Sequence, residues 1–403
     1  MKACGLIVEY NPFHNGHVYH VEQSKERTNA DVMVAVMSGS FLQRGEPAII
    51  DKFHRTKAAL QHGVDIVLEL PFVYAVQYSD LFARGAILTL SQLNVDYVCF
   101  GSEAGNITPF LEGYDHYLKH KPYFQQQLHQ FLSEGLSFPQ ASKNAYQTID
   151  LASGEIDLGQ PNNILGFSYV KAIKELQTSI KPETIKRTKS GYHDEQIEHE
   201  IASATSIRKE LLTQGTMSNN IQNALPYATA QQIKKYKEDY HSWHEWEIYF
   251  PFLQLLIQTK THEELRNIHG VIEGLEYRLK STVQEAGSFH HWMTLLKTKR
   301  YTWTRLQRMF VHLLTNTTHE QLEPYKALTE PPYLRILGMN QNGRQYIQSV
   351  KKEMDVPLIS NIQELNHPML QLEEKATDAY YSPLSPKFKQ QLKKQELRGP
   401  IMI

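Results

Sequence analysis

Two histidines near the amino terminus, His14 and His17, are the first residues whose type and spacing suggest chemistry. They follow a short apolar run and a turn at Asn11 and Pro12, where a helix is predicted to begin. Two imidazoles one turn apart at a helix amino terminus face the position where free backbone N–H groups bind phosphate. Gly16 lets the backbone approach such a ligand because it has no Cβ. The alternative is a turn with two surface histidines.

Arg208 lies in a second segment with the character of an anion site, residues 201–208 with the sequence IASATSIR. Ser203 or Thr205 is predicted to be the N-cap of the helix that follows at 209–212. A cation in the first turn faces the positive end of the helix dipole, where a carboxylate is preferred. An anion held by the backbone N–H groups, the hydroxyls and Arg208 would turn that repulsion into binding. We therefore predict an anion site here, with capping alone as the alternative.

Three other polar groups are ambiguous from sequence alone. Lys52 and Arg55 lie one turn apart on a predicted helix at 51–62, which favours a solvated basic face. In an anionic pocket they would instead be secondary phosphate contacts. Asn162 and Asn163 precede an amphipathic stretch, so one is predicted to be an N-cap and the other has an amide free to bind a base or ribose. Arg187 lies near the end of a short predicted strand at 184–188.

Four apolar runs are predicted strands that would position these side chains, at residues 5–10, 32–37, 66–70 and 97–100. About thirty residues separate each run from the next, which is the spacing of parallel strands joined by helices. Helices are predicted between them at residues 18–27, 51–62 and 79–93. The strands show little alternation, as expected when helices cover both faces of a sheet. The fold class predicted for the first part of the chain is therefore a doubly wound α/β sheet.

Ligands of such sheets bind outside the carboxyl ends of the strands. Small or histidine-bearing loops follow three of the four predicted strands, at residues 11–17, 38–40 and 101–103. Neither the dinucleotide fingerprint GxGxxG nor the phosphate-binding sequence GxxxxGK[ST] occurs in the chain. The predicted site is therefore neither a dinucleotide site of the GxGxxG type nor a P-loop.

After about residue 216 the pattern becomes helical. Amphipathic stretches are predicted helices at residues 228–240, 246–258, 263–274, 275–285, 290–297 and 304–315. A smaller strand-helix-strand appendage is predicted from 333–337, 343–352 and 356–359, followed by a charged helix or tail at 390–398. The predicted domains are thus 1–215, which holds the sheet and the predicted anion sites, and 216–403, a mostly helical region with an α/β appendage.

Residues 289–313 contain basic and aromatic side chains and no acidic one. Basic side chains that neutralise phosphates, interleaved with aromatic rings that stack on unpaired bases, are typical of binding to single-stranded RNA loops. A solvated surface and helical core are the alternatives. The predicted RNA-binding residues are Lys297, Lys299, Arg300, Tyr301, Trp303, Arg305 and Arg308.

Length, charge and cysteine content indicate the compartment of the protein and exclude some classes of partner. The chain has 403 residues and a formal net charge of −1, so a nucleic-acid site must be a local patch. The two cysteines, Cys4 and Cys99, lie in apolar runs, which indicates a reducing compartment with no disulfide framework. No signal sequence and no apolar run of about 18 residues is present. A cytoplasmic protein with no membrane contact, no protein partner and no protein-bound metal is predicted.

HNGH after the first strand, together with ISATSIR, resembles the HxGH nucleotidyltransferase superfamily. The longer strings GLIVEYNPFHNGHVYH, MSGSFLQRGEPAIIDK, FGSE and PNNILGFSYVKA resemble the bacterial tRNA(Met) cytidine acetate ligases in particular. The match covers most of the first 210 residues. One departure is Ala204, where the superfamily motif usually has Ser or Thr; it removes one hydroxyl from the anion site.

The resemblance implies a two-step reaction. Acetate attacks the α-phosphorus of ATP to give acetyl-adenylate and pyrophosphate, and the wobble cytidine of elongator tRNA(Met) then takes the acetyl group, releasing AMP. Mg²⁺ would accompany the triphosphate. The catalytic residues implied are His14, His17 and Arg208. The ATP contacts implied are Ile7, Val8, Glu9, Tyr10, Asn11, Pro12, Phe13, His14, Asn15, Gly16, His17, His20, Gly101, Asn162, Arg187, Thr205, Ser206 and Arg208.

Two other functions fit part of the sequence. A nucleotidyltransferase that makes a dinucleotide-like cofactor from ATP and a phosphorylated small molecule would need only the first domain. An RNA-binding module with a relic nucleotide site has no reason to keep His14, His17, Thr205 and Arg208 together. Nucleotide turnover separates the three, because only the ligase requires acetate.

Overall fold

The computed structural model of the chain describes residues 1–187 and 202–403. Thr188 and Ile201, at the ends of two predicted segments, lie outside the described residues. The strands are β1 (Ala3–Val8), β2 (Val32–Ser38), β3 (Ile66–Leu70), β4 (Tyr97–Ser102), β5 (Lys181–Lys186), β6 (Leu334–Met339), β7 (Leu358–Ile359) and β8 (Ile401–Met402).

Helices connect and cover these strands. The first are α1 (Asn15–Thr28), α2 (Lys52–Leu60), α3 (Phe72–Ala75), α4 (Ser79–Ser91), α5 (Thr108–Ser133), α6 (Phe138–Gln147), α7 (Pro161–Glu175), α8 (Ala204–Gln214) and α9 (Asn219–Ala224). They are followed by α10 (Tyr227–Tyr240), α11 (Trp246–Thr259), α12 (His262–Asn267), α13 (Leu275–Thr282), α14 (Phe289–Leu296), α15 (Trp303–Leu314), α16 (His319–Leu322), α17 (Gln341–Val350), α18 (Pro368–Tyr381) and α19 (Pro386–Glu396).

The sheet has the strand order β5-β4-β1-β2-β3-β6-β7, and β8 pairs with β6. The first five strands are parallel to one another, whereas β6 runs antiparallel to β3. The chain moves outward in one direction from β1 through β2 to β3, and β4 then returns to the other side of β1. This change of direction opens a crevice at the carboxyl ends of β1 and β4, which is where doubly wound sheets bind ligands.

The predicted fold class of the first part of the chain is confirmed, and so are the four predicted strands. Alternate residues of β2 pack into two separate hydrophobic cores: Val32, Val34 and Val36 into one, and Met33 and its alternating neighbours into the other. Every residue of β2 is buried, which explains the near-continuous apolar run in the sequence.

One of the two predicted helix caps is confirmed and the other is wrong, and α8 begins at Ala204 instead of residue 209. Ser203 is the N-cap of α8, and its hydroxyl accepts a hydrogen bond from the Ser206 N–H at 3.0 Å, so Thr205 is not a cap. Neither Asn162 nor Asn163 caps α7, because that helix begins at Pro161. Proline suits the first helical position since its missing N–H would have no partner there.

The predicted helices of the second part are found with shifted ends, and one prediction is too long. The helix predicted at 263–274 ends at Asn267, because Ile268 forms a bridge with Thr318. This region packs directly on the catalytic sheet's loops: the His244 N–H donates to the Ile49 carbonyl at 3.1 Å, and the Tyr380 hydroxyl donates to the Ala48 carbonyl at 2.7 Å.

The strand-helix-strand unit predicted near the end of the chain is present as β6, α17 and β7, but it is part of the main sheet and not an appendage. Its strand β6 adds to the main sheet beside β3. Arg335 on β6 is buried between two carboxylates, 2.8 Å from Glu69 Oε2 on β3 and 2.6 Å from Glu396 Oε2 at the end of α19. The predicted polar tail therefore carries a buried residue of the sheet's charge network. The boundary at residue 215 stays a prediction.

Lys52 and Arg55 are neither a solvated face nor phosphate contacts, because both side chains are 1% exposed. The Lys52 ammonium lies 2.6 Å from Glu69 Oε1 and 3.1 Å from Glu396 Oε1. The Arg55 guanidinium donates to the carbonyl oxygens of Glu9, Ser38 and Gly39. It therefore ties the loops after β1 and β2 together.

In the described part of the chain, no helix is both long and apolar enough to cross a membrane.

Candidate active site

A cavity of about 910 Å³ opens at the carboxyl ends of β1 and β4. It brings together residues from the first loop, from the end of β4, from the start of α7 and from the end of β5. The predicted ATP contacts that line it are Ile7, Val8, Glu9, His14, Gly16, His17, His20, Gly101, Asn162 and Arg187. The sequence thus located this cavity correctly, although the contacts themselves stay predictions.

The two histidines are fixed by the turn that starts α1. His14 is the N-cap, and its Nδ1 accepts a hydrogen bond from the Gly16 N–H at 3.1 Å. The Nδ1 of His17 accepts one in return from the His14 N–H at 3.2 Å. The rings stack with centroids 3.9 Å apart. This reciprocal arrangement is a capping box in which imidazoles replace the usual hydroxyl and carboxylate.

Both imidazoles are neutral in the free protein. Burial, together with the positive charges of Arg187 and Arg208, lowers the pKa of His14 to about 3. Burial and the neighbouring His14 ring hold the pKa of His17 well below its usual value. Because each Nδ1 accepts a hydrogen bond, the proton of each neutral ring is on Nε2. The pair therefore presents two preorganised N–H donors suited to phosphate oxygens.

Arg187 and Gly101 line the same cavity, and the Arg187 charge acts on His14. A Cβ added at Gly101 would lie 3.3 Å from Arg187 Cγ, so the glycine leaves room for the arginine side chain. The Arg187 N–H donates to the Ser102 carbonyl at 3.0 Å, which continues the strand pairing past β5. Burial lowers the pKa of Arg187, and the Glu103 carboxylate acts in the opposite direction. A desolvated guanidinium near the two histidines is a strong site for an anion.

Glu103 replaces the N-cap that sequence reasoning assigned to an asparagine. Its Oε1 accepts hydrogen bonds from the Asn162 N–H and side-chain amide, and its Oε2 accepts one from the Asn163 N–H at 2.8 Å. Asn163 Oδ1 accepts the Glu103 N–H at 3.0 Å. The carboxylate at the positive end of the α7 dipole fixes the loop after β4 on the helix. The Asn162 amide is therefore held by Glu103.

Several predicted ATP contacts lie outside the cavity wall. Tyr10 and Phe13 are core residues, 1% exposed, whose rings pack against the His17 ring at centroid distances of 5.0 and 5.6 Å. Pro12 is buried beside them. Asn15 donates to the Asn223 carbonyl at 2.8 Å. These residues position the histidines from behind.

The residues of α8 also lie outside the wall. Thr205 is exposed, and the Ser206 hydroxyl donates back to the Ser203 carbonyl at 2.9 Å. Arg208 Nη2 lies 2.6 Å from Glu46 Oε2, and its Nη1 donates to the Asn11 carbonyl at 2.8 Å. The described structure therefore holds Arg208 against the first loop, with Glu46 as its counter-ion.

Residues 1–396 match the family model described as HIGH Nucleotidyl Transferase. A tRNA(Met) cytidine acetate ligase of Oceanobacillus iheyensis is 53% identical over 403 residues, covering all of both chains. One of Bacillus subtilis is 44% identical over 399 residues, covering 98% of this chain and 96% of its own. The chain belongs to this ligase family. The resemblance seen in the sequence is confirmed.

A solved structure of this family, Thermotoga maritima TmcAL in its apo form, matches the whole of this chain with a TM-score of 0.90 and 31% identity. A second TmcAL structure, bound with alpha-thio ATP, matches with a TM-score of 0.89 and 32% identity, again over all of both chains. The fold of this ligase family member is thus shared along its entire length, including the helical region and the strands that follow it.

The cavity of this family member also contains residues that the sequence analysis missed. Gln43 and Arg44 enter it from the loop after β2. Gly45 has φ +79°, and a Cβ there would lie 2.3 Å from the backbone nitrogen of Arg308. The loop therefore packs tightly on α15 of the helical region. The sequence contained a signal for this loop, because Arg44 and Gly45 lie together in the segment that follows the predicted strand at 32–37.

The cavity extends beyond the nucleotide end into a cleft between α5, α6 and α7. Tyr117, Phe124 and Tyr146 line this cleft. Lys171 lies there with Asp80 as its ion-pair partner at 2.7 Å. The Asp80 charge raises the Lys171 pKa above its usual value although burial acts against it. This cleft leaves room for a substrate larger than a nucleotide.

The predicted tRNA-binding residues are divided between surface and cavity. Lys297, Lys299 and Arg300 are exposed, whereas Arg308 lines the cavity. Tyr301 is 8% exposed, and its hydroxyl donates to the Glu273 carbonyl, so its ring is a packing element and not a stacking platform.

Glu273 also neutralises part of this basic surface. Its carboxylate lies 2.8 Å from Arg300 and 3.2 Å from Arg305. Trp303 is half-buried, with its ring 5.4 Å from that of His290. The exposed lysines and the cavity are therefore joined at the start of α15, because its N-cap Thr302 and its residues Thr304 and Arg308 form part of the cavity wall.

Proposed function

We propose that this chain is a tRNA(Met) cytidine acetate ligase. It activates acetate with ATP and transfers the acetyl group to the exocyclic amine of the wobble cytidine of elongator tRNA(Met), in the cytoplasm. The observation that carries the proposal is the neutral histidine pair near Arg187, at the edge where the strand order changes direction between β1 and β4. Full-length relatives of that name and an ATP-analogue complex of TmcAL support it.

The first step needs positioning and charge stabilisation and no general base, because acetate is already an anion at neutral pH. An acetate oxygen forms a bond to the α-phosphorus of ATP, and the bond from that phosphorus to the bridging oxygen breaks, releasing pyrophosphate. Negative charge grows on the leaving phosphates. The Nε2–H groups of His14 and His17, with Arg187 nearby, are the donors suited to hold them.

The second step requires RNA to reach the same cavity. The surface from Lys297 to Arg308 leads along α15 into the cavity wall, which supports its use by the anticodon loop. Because Tyr301 is buried, stacking on a base would fall to Trp303 alone among the predicted aromatics. The cleft beside α5 and α6 gives the acetyl-adenylate and the incoming base space within one cavity of about 910 Å³.

The decisive experiment incubates purified protein with ATP, isotope-labelled acetate and bulk bacterial tRNA, followed by nucleoside mass spectrometry. Label is expected in acetylcytidine only when ATP is present, with AMP and pyrophosphate as co-products. A transcript of elongator tRNA(Met) should accept the label, and the same transcript with uridine at the wobble position should not.

Two outcomes would contradict the proposal. Acetate-dependent pyrophosphate release without label in tRNA would preserve the adenylation step and exclude cytidine as the acceptor. Pyrophosphate release that needs a phosphorylated small molecule and ignores acetate would favour a cofactor-forming nucleotidyltransferase instead.

A further inference from the structure

Glu9, the residue directly after β1, presents its carboxylate to the cavity. Its position is fixed on two sides, because Arg55 Nη1 donates to its carbonyl at 2.6 Å and its Oε1 accepts the Gln43 N–H at 2.7 Å. In the described structure, Oε2 accepts no hydrogen bond. The result is a preorganised carboxylate with one oxygen available to a ligand.

Among the described residues of the cavity wall, Glu9 and Asp80 are the acidic ones. Asp80 is already engaged: its Oδ2 lies 2.7 Å from the Lys171 ammonium, and its Oδ1 accepts the Ser168 hydroxyl at 2.9 Å. The two stacked histidines hold their protons on Nε2 and present donors. Glu9 is therefore the carboxylate with an available acceptor atom.

The groups around Glu9 shift the pKa of its carboxyl above the usual value for glutamic acid. Burial raises the pKa of the Glu9 carboxyl, and the nearby Glu46 carboxylate adds to that rise. The guanidinium groups of Arg44 and Arg208 act in the opposite direction. The Arg55 guanidinium and the buried Tyr169 hydroxyl also face it, from α2 and α7. A general base is most effective when its pKa is close to the working pH.

Glu9 shares its cavity wall with two sets of donors. His14 and His17, the donors suited to the nucleotide, line this cavity, and so do Arg44 and Arg308. Burial and the nearby Arg44 charge lower the Arg308 pKa to about 10. The Arg44 charge also acts on Glu9, so this carboxylate lies near the loop that packs on α15.

We infer that Glu9 is the general base of acetyl transfer, a role that rests on the proposed function. The exocyclic nitrogen of cytidine forms a bond to the acetyl carbon, and the bond from that carbon to the phosphate oxygen of AMP breaks. One amine proton moves to Glu9 Oε2, and the electron pair of the broken bond leaves with AMP. The aromatic amine is a weak nucleophile, so removal of its proton is the part of the step that needs assistance.

The test separates the two half-reactions in Glu9→Gln, which keeps the side-chain length and an oxygen to accept the Gln43 N–H. Acetate-dependent exchange of pyrophosphate into ATP measures the first step. Single-turnover transfer from enzyme-bound acetyl-adenylate to tRNA measures the second. Transfer should fall by roughly 100- to 10,000-fold, while exchange falls by less than about tenfold.

Two variants and a pH series make the test specific. In the unsubstituted protein, transfer should accelerate as pH rises through the Glu9 pKa and then level off, because the carboxylate is the active form. Glu9→Gln should lose this dependence, and Glu9→Asp should retain it at a lower rate. Asp80→Asn, which changes the other carboxylate of the wall, should retain it as well.

Equal losses of exchange and transfer in Glu9→Gln would overturn the inference and make Glu9 a nucleotide contact only. A pH profile of transfer that is the same in Glu9→Gln as in the unsubstituted protein would also overturn the inference. If His20→Asn instead abolished the pH-dependent transfer, the base would be His20, whose Nε2 is buried without a partner in the described structure. Failure of the unsubstituted protein to acetylate tRNA would contradict the proposed function, a result distinct from all of these.

Discussion

Replacing His17 separates the two things that its imidazole does in this structure. Nδ1 completes the capping box by accepting the His14 N–H, and Nε2–H is a donor to the cavity. His17→Ala removes both. His17→Glu retains the first, since glutamate at the third helical position reaches back to the N-cap N–H, and it removes the second because a carboxylate has no N–H. We therefore expect the two variants to differ in stability and to agree in catalysis.

The expected magnitudes follow from those contacts. Loss of the capping interaction in His17→Ala should lower the free energy of unfolding by about 1 kcal/mol, and His17→Glu should recover most of that. Loss of one preorganised donor to a leaving phosphate should slow acetyl-adenylate formation by roughly 100- to 1,000-fold in both variants. The affinity for tRNA should change little, because the predicted RNA surface lies along α15.

Urea denaturation gives the stability difference, acetate-dependent pyrophosphate exchange gives the first-step rate, and filter binding gives the tRNA affinity. Recovery of the exchange rate by His17→Glu would refute the reasoning, because it would make the cap the whole contribution of His17. A large loss of tRNA affinity in either variant would refute the separation between nucleotide and RNA surfaces.

Three further outcomes are expected. Charge reversal at Lys299 and Arg300 should weaken tRNA binding and reduce the slope of log affinity against log salt by about 2, as measured by binding titrations at several salt concentrations; an unchanged slope would make both residues solvated surface. Acidification should destabilise the free protein, because the His14 pKa of about 3 lies below its ordinary 6.5, so the unfolded chain binds more protons between those values. The free energy of unfolding should fall by up to about 1.4 kcal/mol per pH unit for this histidine below pH 6.5, and urea denaturation at pH 7 and pH 5 that shows no difference would contradict this. Arg335→Ala should cost about 3 to 5 kcal/mol, since it leaves Glu69 without this buried partner; a loss below 1 kcal/mol would show that the network adjusts.

The parallel core of the sheet was predictable because burial on both faces leaves a direct trace in the sequence. β2 is apolar along its length, and the loops after β1 and β4 carry the glycines and histidines that a ligand edge requires. The motif around His14 was equally visible, because a capping position and a site residue coincide there. Local signals of this kind depend on neighbours within a few positions of the chain.

What the sequence did not reveal depends on partners far along the chain. The α7 cap comes from Glu103, about sixty positions before the helix, so the adjacent asparagines seemed the better candidates. Lys52 has the helical spacing of a surface residue, and its contacts with Glu69 and with the distant Glu396 make it a core residue. The role of Arg44 depends on how its loop packs on α15. Pattern and propensity contain no information on such pairings.

The place of β6 in the sheet has a consequence for how the protein is made. Arg335 and its partner Glu69 are 266 positions apart, so a ribosome adding about 5 to 20 residues per second takes roughly 13 to 50 s to supply the second after the first. During that interval β3 is an open edge with unpaired N–H and C=O groups beside a buried glutamate. A nascent chain or a fragment that ends before β6 would expose that edge. We therefore expect the chain to depend on chaperones during its synthesis. We also expect fragments limited to the first half of the chain to be insoluble.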